Sequence, residues 1–384
     1  MGNVSHVGLL KTFCAFKAVN IALIFSAAAV HPFSDSTSLL FSIKERSTRL
    51  LQPFVRWDAV YYFLIARDGY VHEKMHAFYP LYPFLIRLFA SMLPFRKDLS
   101  VLLSGILISN LCHLLGFFCL YHLTLQIFKN KALAHRSAVL FLVQPASYHM
   151  TTLFSESSFA ALALFGMFCF TKGFDLIAAL SFSLSGLTRS NGILLAGFYL
   201  YRAIFSFRSM RNFGKDIMHA MISSFGGILY LYSCYRKYCF SDEKAEWCYR
   251  TIPNVYSHVQ AKYWNVGAFK YYTLSQIPNF LIASPMIALS IYGLYSNSNI
   301  LLFRTKQRLL IPYYFLWLAL FLFSLVFVHI QVINRLFSFL PPVFWTMSQL
   351  YRKSNQFQRR VYIIIMGIYY SSIPFMIACF YPPA

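Results

Sequence analysis

The sequence predicts an all-α polytopic membrane protein. Its 384 residues are 58% hydrophobic and 12% charged, whereas soluble domains carry about 25% charged residues. Long continuous apolar runs also argue against a transmembrane β-barrel, whose strands alternate apolar and polar positions over about ten residues. Several runs reach the roughly 20 residues that a helix needs to cross a bilayer, and they cover 9–30, 99–128, 309–328 and 361–380.

The first apolar run is followed by an unusually polar interval. The run at 9–30 resembles a signal peptide, but no convincing cleavage site follows, so we interpret it as a retained first span. We expect the interval 31–77 to form amphipathic helices at the membrane surface. One of these helices should cover 54–68 and end at Gly69, because glycine suits the position after a helix C-terminus.

The rest of the chain predicts a bundle of about 10–12 transmembrane or re-entrant helices. We expect a single integral domain over 1–384, since no flexible linker or repeat interrupts it. The segment at 78–93 is short and contains two prolines; either it is re-entrant, or 174–201 forms one long broken helix. The hydrophobic segments after it lie at 99–128, 137–151, 154–171, 174–188, 189–205, 216–238, 273–295, 309–330, 335–351 and 361–381.

The net charge of +22 does not indicate nucleic-acid binding, because Lys and Arg concentrate in short loops. The basic clusters at 202–215, 304–308 and 352–360 follow the positive-inside pattern and should be cytosolic. The intervals 31–77 and 239–272 are then predicted on the opposite side of the membrane. Anionic lipid headgroups, rather than nucleic acid, are the expected partner of these charges.

The eight cysteines have no metal-binding spacing, and we expect neither a metal nor a cofactor. Cys239 and Cys248 share the polar loop 239–272. If that loop faces an oxidising compartment they can form a disulfide; otherwise both are free thiols.

Two of the twelve carboxylates are candidates for chemistry. Asp58 lies in RWDAVYY, at a boundary between polar and apolar sequence, where a raised pKa would suit a general base. An exposed Asp on an amphipathic helix explains it equally well. Glu156 has no basic residue between 150 and 170, so it is either functional or a hydrogen-bonded structural acid.

Two arginines in apolar surroundings are the cationic counterparts. Arg189 in LTRSNG and Arg335 in HIQVINR are flanked by amide or hydroxyl residues. Arginine binds phosphate through two parallel hydrogen bonds, although pairing with Glu156 is a competing explanation. His329 and Gln331 share the turn that contains Arg335.

These residues lie in blocks that together resemble a known family. RWDAVYYFLIARDGY, AFYPLYPFLIR, QPASYHMTTLFSES, LTRSNGILL, YWNVGAFKYYTLSQIPNFLIASP and HIQVINRLFSFLPPVFW occur in that order between Arg56 and Trp345. This ordered set is similar to the GPI mannosyltransferase II, or PIG-V, family. The resemblance implies a GT-C-like bundle and a multi-pass enzyme of the endoplasmic reticulum membrane with a luminal active site.

The resemblance also implies the reaction and its partners. Such enzymes take mannose from dolichol-phosphate-mannose, and this family adds the second mannose in α1,6 linkage to the mannosylated glucosaminyl-phosphatidylinositol acceptor. It leaves room for a small membrane accessory subunit. The transfer inverts the anomeric configuration, which requires one base and no carboxylate nucleophile. We therefore expect a luminal catalytic loop at 31–77 and a second luminal loop at 239–272.

Asp58 is the predicted base, and Arg335, with Arg189 or His329, is expected to stabilise charge on the departing phosphate. A lipid-linked sugar flippase or a non-enzymatic subunit of the same assembly pathway are the alternative functions. The predicted substrate-binding residues are Arg56, Trp57, Tyr61, Tyr62, His76, Tyr79, Glu156, Arg189, Asn191, His329, Gln331 and Arg335.

Overall fold

A computed structural model describes residues 5–27, 29, 50–206, 209–304 and 307–379, and the regular secondary structure of this part of the chain is entirely helical. The predicted amphipathic helices before residue 50 lie outside the described residues. The α-helices are α1 (His6–Ala27), α2 (Ala59–Asp68), α3 (Leu81–Ala90), α4 (Lys97–Phe128), α5 (Lys131–Leu142), α6 (Glu156–Lys172), α7 (Asp175–Thr188), α8 (Gly197–Ser206), α9 (Met210–Cys239), α10 (Val255–Trp264), α11 (Ile277–Ser296), α12 (Ser298–Leu301), α13 (Ile311–Val326), α14 (Ile333–Leu336), α15 (Pro341–Lys353) and α16 (Gln356–Ala378).

Short 3₁₀ helices connect several of these elements. They form where proline or a tight turn prevents an α-helix from continuing. They cover Gln52–Phe54, Glu73–Ala77, Pro145–Ser147, Ser190–Ala196, Glu246–Tyr249, Leu274–Gln276, Arg308–Leu310 and Ile330–Val332.

Six helices of the described residues are long and apolar enough to cross a membrane. They are α1, α4, α9 and α16, together with α11 and α13 extended by the 3₁₀ turns before them. The other segments of the predicted bundle are shorter helices, of which α3 and α7 are markedly apolar. The all-α polytopic fold class is therefore confirmed, with several helices that reach only part of the way through the bundle.

Contacts between helix ends give the bundle two distinguishable ends. At the end we call the site end, Arg67 of α2 forms an ion pair with Asp98, in the first turn of α4. The carbonyl of Ala378, at the last turn of α16, accepts a hydrogen bond from Arg56 at the same end. The C-terminus of α4 and the N-terminus of α16 therefore lie at the opposite end, which carries Arg352 and its basic neighbours; we call it the basic end.

The structure decides between the two interpretations of the segment around 78–93. Helix α3 has ten residues, which span about 15 Å, so it enters the bundle without crossing it. The alternative, one long broken helix over 174–201, is wrong, because α7 and α8 run in opposite directions. Arg202 of α8 contacts Asp175 at the start of α7, with 2.8 Å between Nη1 and Oδ1.

The predicted helix over 54–68 begins later than expected, at Ala59. Pro53 lies in a separate 3₁₀ turn, and Trp57 adopts a left-handed backbone conformation with φ of 54°. A bulky residue in that region interrupts a right-handed helix. Asp58 is consequently the residue that precedes the first turn of α2, and Gly69 ends the helix as predicted, with φ of 90°.

A close crossing of α7 and α9 fixes the part of the bundle next to the site. A methyl group added at Gly226 of α9 would collide with the carbonyl oxygen of Ser183 in α7. The Gly226 amide instead donates a hydrogen bond of 2.9 Å to the Ser183 hydroxyl. Only glycine permits this approach of two backbones, so the position of the C-terminal end of α7 depends on it.

Candidate active site

Two carboxylates and two arginines form one connected cluster at the site end. Arg335 donates to Asp58 Oδ2 through Nη1 at 3.0 Å, and to Glu156 Oε1 through Nε and Nη2 at 2.7 Å each. Arg189 reaches the same Glu156 oxygen through Nη1 at 2.6 Å. The cluster has equal numbers of positive and negative charges, so it can exist in a partly buried position.

Each of these four side chains comes from the end of a helix. Asp58 and Glu156 lie at the N-terminal ends of α2 and α6, where the helix dipole favours negative charge. Arg189 directly follows the C-terminus of α7, where the dipole favours positive charge. Arg335 lies on the short helix α14. The termination of several helices inside the bundle therefore brings the charges together.

The segment before α2 holds Asp58 in an unusual backbone arrangement. Arg56 is buried and donates through Nε to the Ala378 carbonyl at 3.2 Å. Trp57, with its positive φ, stores backbone strain of a kind that recurs at functional sites. The Asp58 side chain does not cap its own helix. Instead, its carboxylate points at Arg335, and the Oδ1 atom accepts no hydrogen bond within the described part of the chain.

A cavity of about 430 Å³ opens beside this cluster. It is large enough for a sugar group together with part of a lipid phosphate, and it is lined by both aromatic and polar side chains. The Gln331 side chain is buried and its Oε1 atom has no hydrogen-bond partner among the described residues, so it is available to a ligand. The predicted residues that line the cavity are Trp57, Asp58, Tyr62, Tyr79, Arg189, His329, Gln331 and Arg335.

His329 lies in this cavity as a neutral group. Its ring stacks on Tyr271, with 4.4 Å between the ring centroids. Burial lowers the pKa of His329 below its ordinary value of 6.5, against the opposing effects of the Trp264 backbone and the Asp58 charge. A neutral imidazole can donate or accept a hydrogen bond, but it adds no positive charge to the site.

Five predicted site residues do not line the cavity. Glu156 lies behind the arginines and acts on the cavity only through them. Arg56 is committed to Ala378, as described above. Tyr61 stacks on Phe78 with 4.8 Å between centroids. His76 is buried and hydrogen-bonded to Tyr residues of α9, and Asn191 lies in the turn after Arg189 without reaching the cavity.

One side of the cavity, which α10 supplies, was not predicted from the sequence. Tyr256, Gln260 and Trp264 of this helix line it, together with Thr188 and Ser190 beside Arg189. Their spacing of four residues places the three α10 side chains on one helix face. That spacing, in a segment with both polar and aromatic residues, was the signal that could have identified them.

The loop that contains α10 is fastened to the polar interval before α3. A disulfide joins Cys239 to Cys248, which the sequence had left open. Glu73 accepts hydrogen bonds of 3.1 Å each from Trp247 Nε1 and the Tyr263 hydroxyl. These links hold α10 over the cavity. Among the described residues, no group of three or more His, Cys, Asp or Glu side chains could hold a metal ion.

Comparison with known proteins relates this arrangement to a family. A family model described as Mannosyltransferase (PIG-V) matches residues 9–381. The GPI mannosyltransferase 2 of Schizosaccharomyces pombe is 31% identical over 391 residues, which cover 93% of this chain and 82% of that protein. The GPI alpha-1,6-mannosyltransferase 2 of Cricetulus griseus is 28% identical over 382 residues, covering 83% of this chain and 77% of that protein.

Solved structures of low sequence identity have the same fold. The apo oligosaccharyltransferase of Archaeoglobus fulgidus gives a TM-score of 0.56 at 12% identity, covering 99% of this chain and 56% of that one. ArnT from Cupriavidus metallidurans, bound to undecaprenyl phosphate, gives a TM-score of 0.55 at 12% identity, covering 95% of this chain and 64% of that one. The likeness supports the GT-C-like fold; this chain is clearly shorter than either.

Proposed function

This chain belongs to the PIG-V mannosyltransferase family, and we propose that Asp58 is the general base of its transfer reaction. The chain is a GPI α1,6-mannosyltransferase that adds the second mannose to the GPI anchor precursor. The observation that carries the proposal is the position of Asp58, a carboxylate at the edge of the cavity with one oxygen held by Arg335 and the other without a partner in the described chain.

The donor in this proposal is dolichol-phosphate-mannose, and the acceptor is mannosylated glucosaminyl-phosphatidylinositol. Two features support a lipid phosphate in the cavity. The cavity contains arginine beside aromatic side chains, and the structurally similar ArnT was solved with undecaprenyl phosphate bound. Asp58 Oδ1 accepts the proton of the acceptor mannose 6-hydroxyl as that oxygen bonds to C1 of the donor mannose. The C1–O bond to phosphate breaks, and the electron pair leaves with dolichyl phosphate.

The geometry assigns different roles to the two arginines. Three N–H-bearing atoms of Arg335 are directed at Asp58 and Glu156, so this residue positions the base. Arg189 uses Nη1 for Glu156, and its other N–H groups make no hydrogen bond to the described residues, while the side chain lines the cavity. We therefore assign the phosphate of the donor to Arg189, because guanidinium binds phosphate through paired hydrogen bonds. The sequence predicted Arg335 as the main residue at the phosphate, with Arg189 or His329 beside it; in this proposal Arg189 takes the phosphate and Arg335 positions the base.

The site end is proposed to face the lumen of the endoplasmic reticulum. The Cys239–Cys248 disulfide belongs to this end and suits an oxidising compartment. Arg202 and Arg352, from two of the basic clusters, lie towards the opposite end, which the positive-inside rule assigns to the cytosol. The luminal catalytic loop 31–77 and the second luminal loop 239–272 remain part of this proposal, with α10 of the second loop closing the cavity.

The test compares Asp58→Asn with Asp68→Asn, which removes an exposed carboxylate from the other end of the same helix. Purified protein in detergent is given dolichol-phosphate-mannose and a synthetic mannosylated acceptor. We expect Asp58→Asn to lose transfer by about 100-fold or more, the range of general-base contributions. Asp68→Asn should transfer normally. Transfer by Asp58→Asn within about threefold of the parent protein would remove Asp58 from the role of base.

The same assay separates the enzyme from the alternative functions. A flippase requires a sealed membrane with two compartments, and a non-enzymatic subunit requires its catalytic partner. Transfer by the purified chain in detergent needs neither. In this assay Arg189→Gln should raise the KM for the donor about 10-fold, since one charge-assisted contact to phosphate is lost.

A further inference from the structure

Two adjoining cavities lie at the basic end, far from Asp58 along the bundle. The smaller has a volume of about 200 Å³, between the end of α4, the start of α5 and the last turns of α15. The larger, of about 450 Å³, lies between α1, α5 and α16. Arg136 of α5 lines both, so the two cavities meet at its side chain.

The smaller cavity is polar and positively charged. Arg136 and Arg352 both line it, beside Asn130 and Gln349. Arg136 donates through Nε to the Ser348 hydroxyl at 3.0 Å, but neither guanidinium forms an ion pair with a carboxylate of the described residues. The sequence itself contains no Asp or Glu at 1–34, 99–155 or 247–384. The helices around this cavity therefore cannot neutralise its two arginines.

The larger cavity is almost entirely apolar. Its walls include Phe16 of α1, Val139 and Leu140 of α5, and Met366 of α16. The Tyr362 hydroxyl also lies there, buried and without a hydrogen-bond partner among the described residues. In a membrane protein an acyl chain can enter a groove of this kind. Water is a less favourable occupant, because it would contact a mostly apolar surface.

From the junction of these cavities we propose a binding site for one anionic phospholipid of the bilayer leaflet at the basic end. The phosphate of the headgroup contacts Arg136 and Arg352, and one acyl chain lies in the apolar groove against Met366. Two unpaired arginines repel each other across the smaller cavity, and an anion between them replaces this repulsion with attraction. The occupied groove would also fill the space between α5 and α16.

Native mass spectrometry of the full chain in detergent can test this site. The protein is titrated with palmitoyl-oleoyl phosphatidylglycerol and, separately, with phosphatidylcholine of the same acyl chains. We expect phosphatidylglycerol to bind about 10-fold more tightly than phosphatidylcholine. The positive choline group of phosphatidylcholine offsets the charge of its phosphate, so the charge-assisted contact with the arginines is lost. Glycerol phosphate, which has no acyl chain, should bind weakly and should not displace the lipid.

Two pairs of substitutions distinguish the site from general attraction to positive charge. Arg136→Gln with Arg352→Gln should reduce phosphatidylglycerol binding about 10-fold or more. Arg304→Gln with Arg308→Gln removes the same charge from another cluster and should change it less than about twofold. Equal losses in the two double variants would show nonspecific electrostatic attraction and overturn the proposal.

A further variant tests the acyl-chain groove separately from the charges. Met366→Trp fills the groove and should weaken binding of phosphatidylglycerol while leaving both arginines unchanged. Its thermal unfolding in detergent serves as the check that it is folded. If the folded Met366→Trp protein binds the lipid as tightly as the parent chain, or if glycerol phosphate competes fully, the groove is not the binding site.

Discussion

Glu156→Gln is the substitution whose consequences follow most directly from the cluster geometry. One oxygen of Glu156 receives N–H groups from both Arg335 and Arg189, at 2.6–2.7 Å. The side chain is 1% exposed, so water cannot replace the lost charge. Glutamine keeps the shape and an acceptor oxygen, but it leaves the buried Arg335 and the partly buried Arg189 facing the single carboxylate of Asp58.

The expected loss of stability is about 3–5 kcal/mol, the range measured when one partner of a buried ion pair is removed. We would measure thermal unfolding of the purified protein in detergent, at a fixed lipid-to-protein ratio. A second variant restores the charge balance: Glu156→Gln combined with Arg189→Gln again has one cation and one anion. If the cost of Glu156→Gln arises from uncompensated charge, the double variant should recover at least 1 kcal/mol relative to it, a coupling typical of residues in direct contact.

The recovered protein should nevertheless transfer mannose poorly, because Arg189 is assigned to the donor phosphate. Stability and activity would then change in opposite directions between the single and the double variant. A Glu156→Gln protein that unfolds within about 1 kcal/mol of the parent, or a double variant no more stable than the single one, would show that charge balance does not hold this cluster together.

Two other predictions concern the surroundings of the site. Gly226→Ala should destabilise the protein by about 1–3 kcal/mol through overpacking against Ser183, and it should lower transfer by displacing Arg189. Gly227→Ala is the control and should do neither, because a methyl group there meets its neighbours only at ordinary van der Waals distances. Equal melting temperatures of the two variants would contradict the close crossing. Burial, with a smaller effect from the Lys237 charge, lowers the pKa of His76 from 6.5 to about 4. Between these pH values the unfolded chain binds a proton at His76 that the folded chain does not bind. The free energy of unfolding should therefore fall by about 1 kcal/mol from about pH 7 to about pH 5.5. Melting curves of His76→Gln, measured at the same pH values, should not show this loss of stability. If the variant has the same pH dependence as the parent protein, the effect does not come from His76.

The four charged residues of the cluster could be identified from the sequence because each interrupts an apolar environment. Asp58, Glu156, Arg189 and Arg335 are isolated charges that a membrane protein retains for a reason, and the structure brings all four together. Their mutual contacts could not be predicted, since as many as 277 residues separate the partners.

Polar residues whose partners lie far along the chain were harder to interpret. His76 was assigned to the site because it lies in the same polar interval as Asp58. Its actual partners, Tyr230 and Tyr238, belong to α9, more than 150 residues later. The late start of α2 was equally hidden, because nothing in the residue type of Trp57 indicates a positive φ.

The short helices of this protein and its candidate active site have the same physical origin. A backbone that stops being helical within a bilayer leaves unpaired N–H and C=O groups, which is tolerated only where the chain is buried in protein or lines a water-filled cavity. Helices α2, α6 and α7 all end beside the cavity, and the 3₁₀ turns Ser190–Ala196 and Ile330–Val332 follow or precede its arginines. Segments that are apolar yet too short or too interrupted to span, such as 78–93 and 174–188, therefore indicate the depth and position of the polar cavity. The same reasoning explains why the charged residues lie at helix ends. At those positions the helix dipoles and the unpaired backbone groups stabilise the charges before any substrate binds.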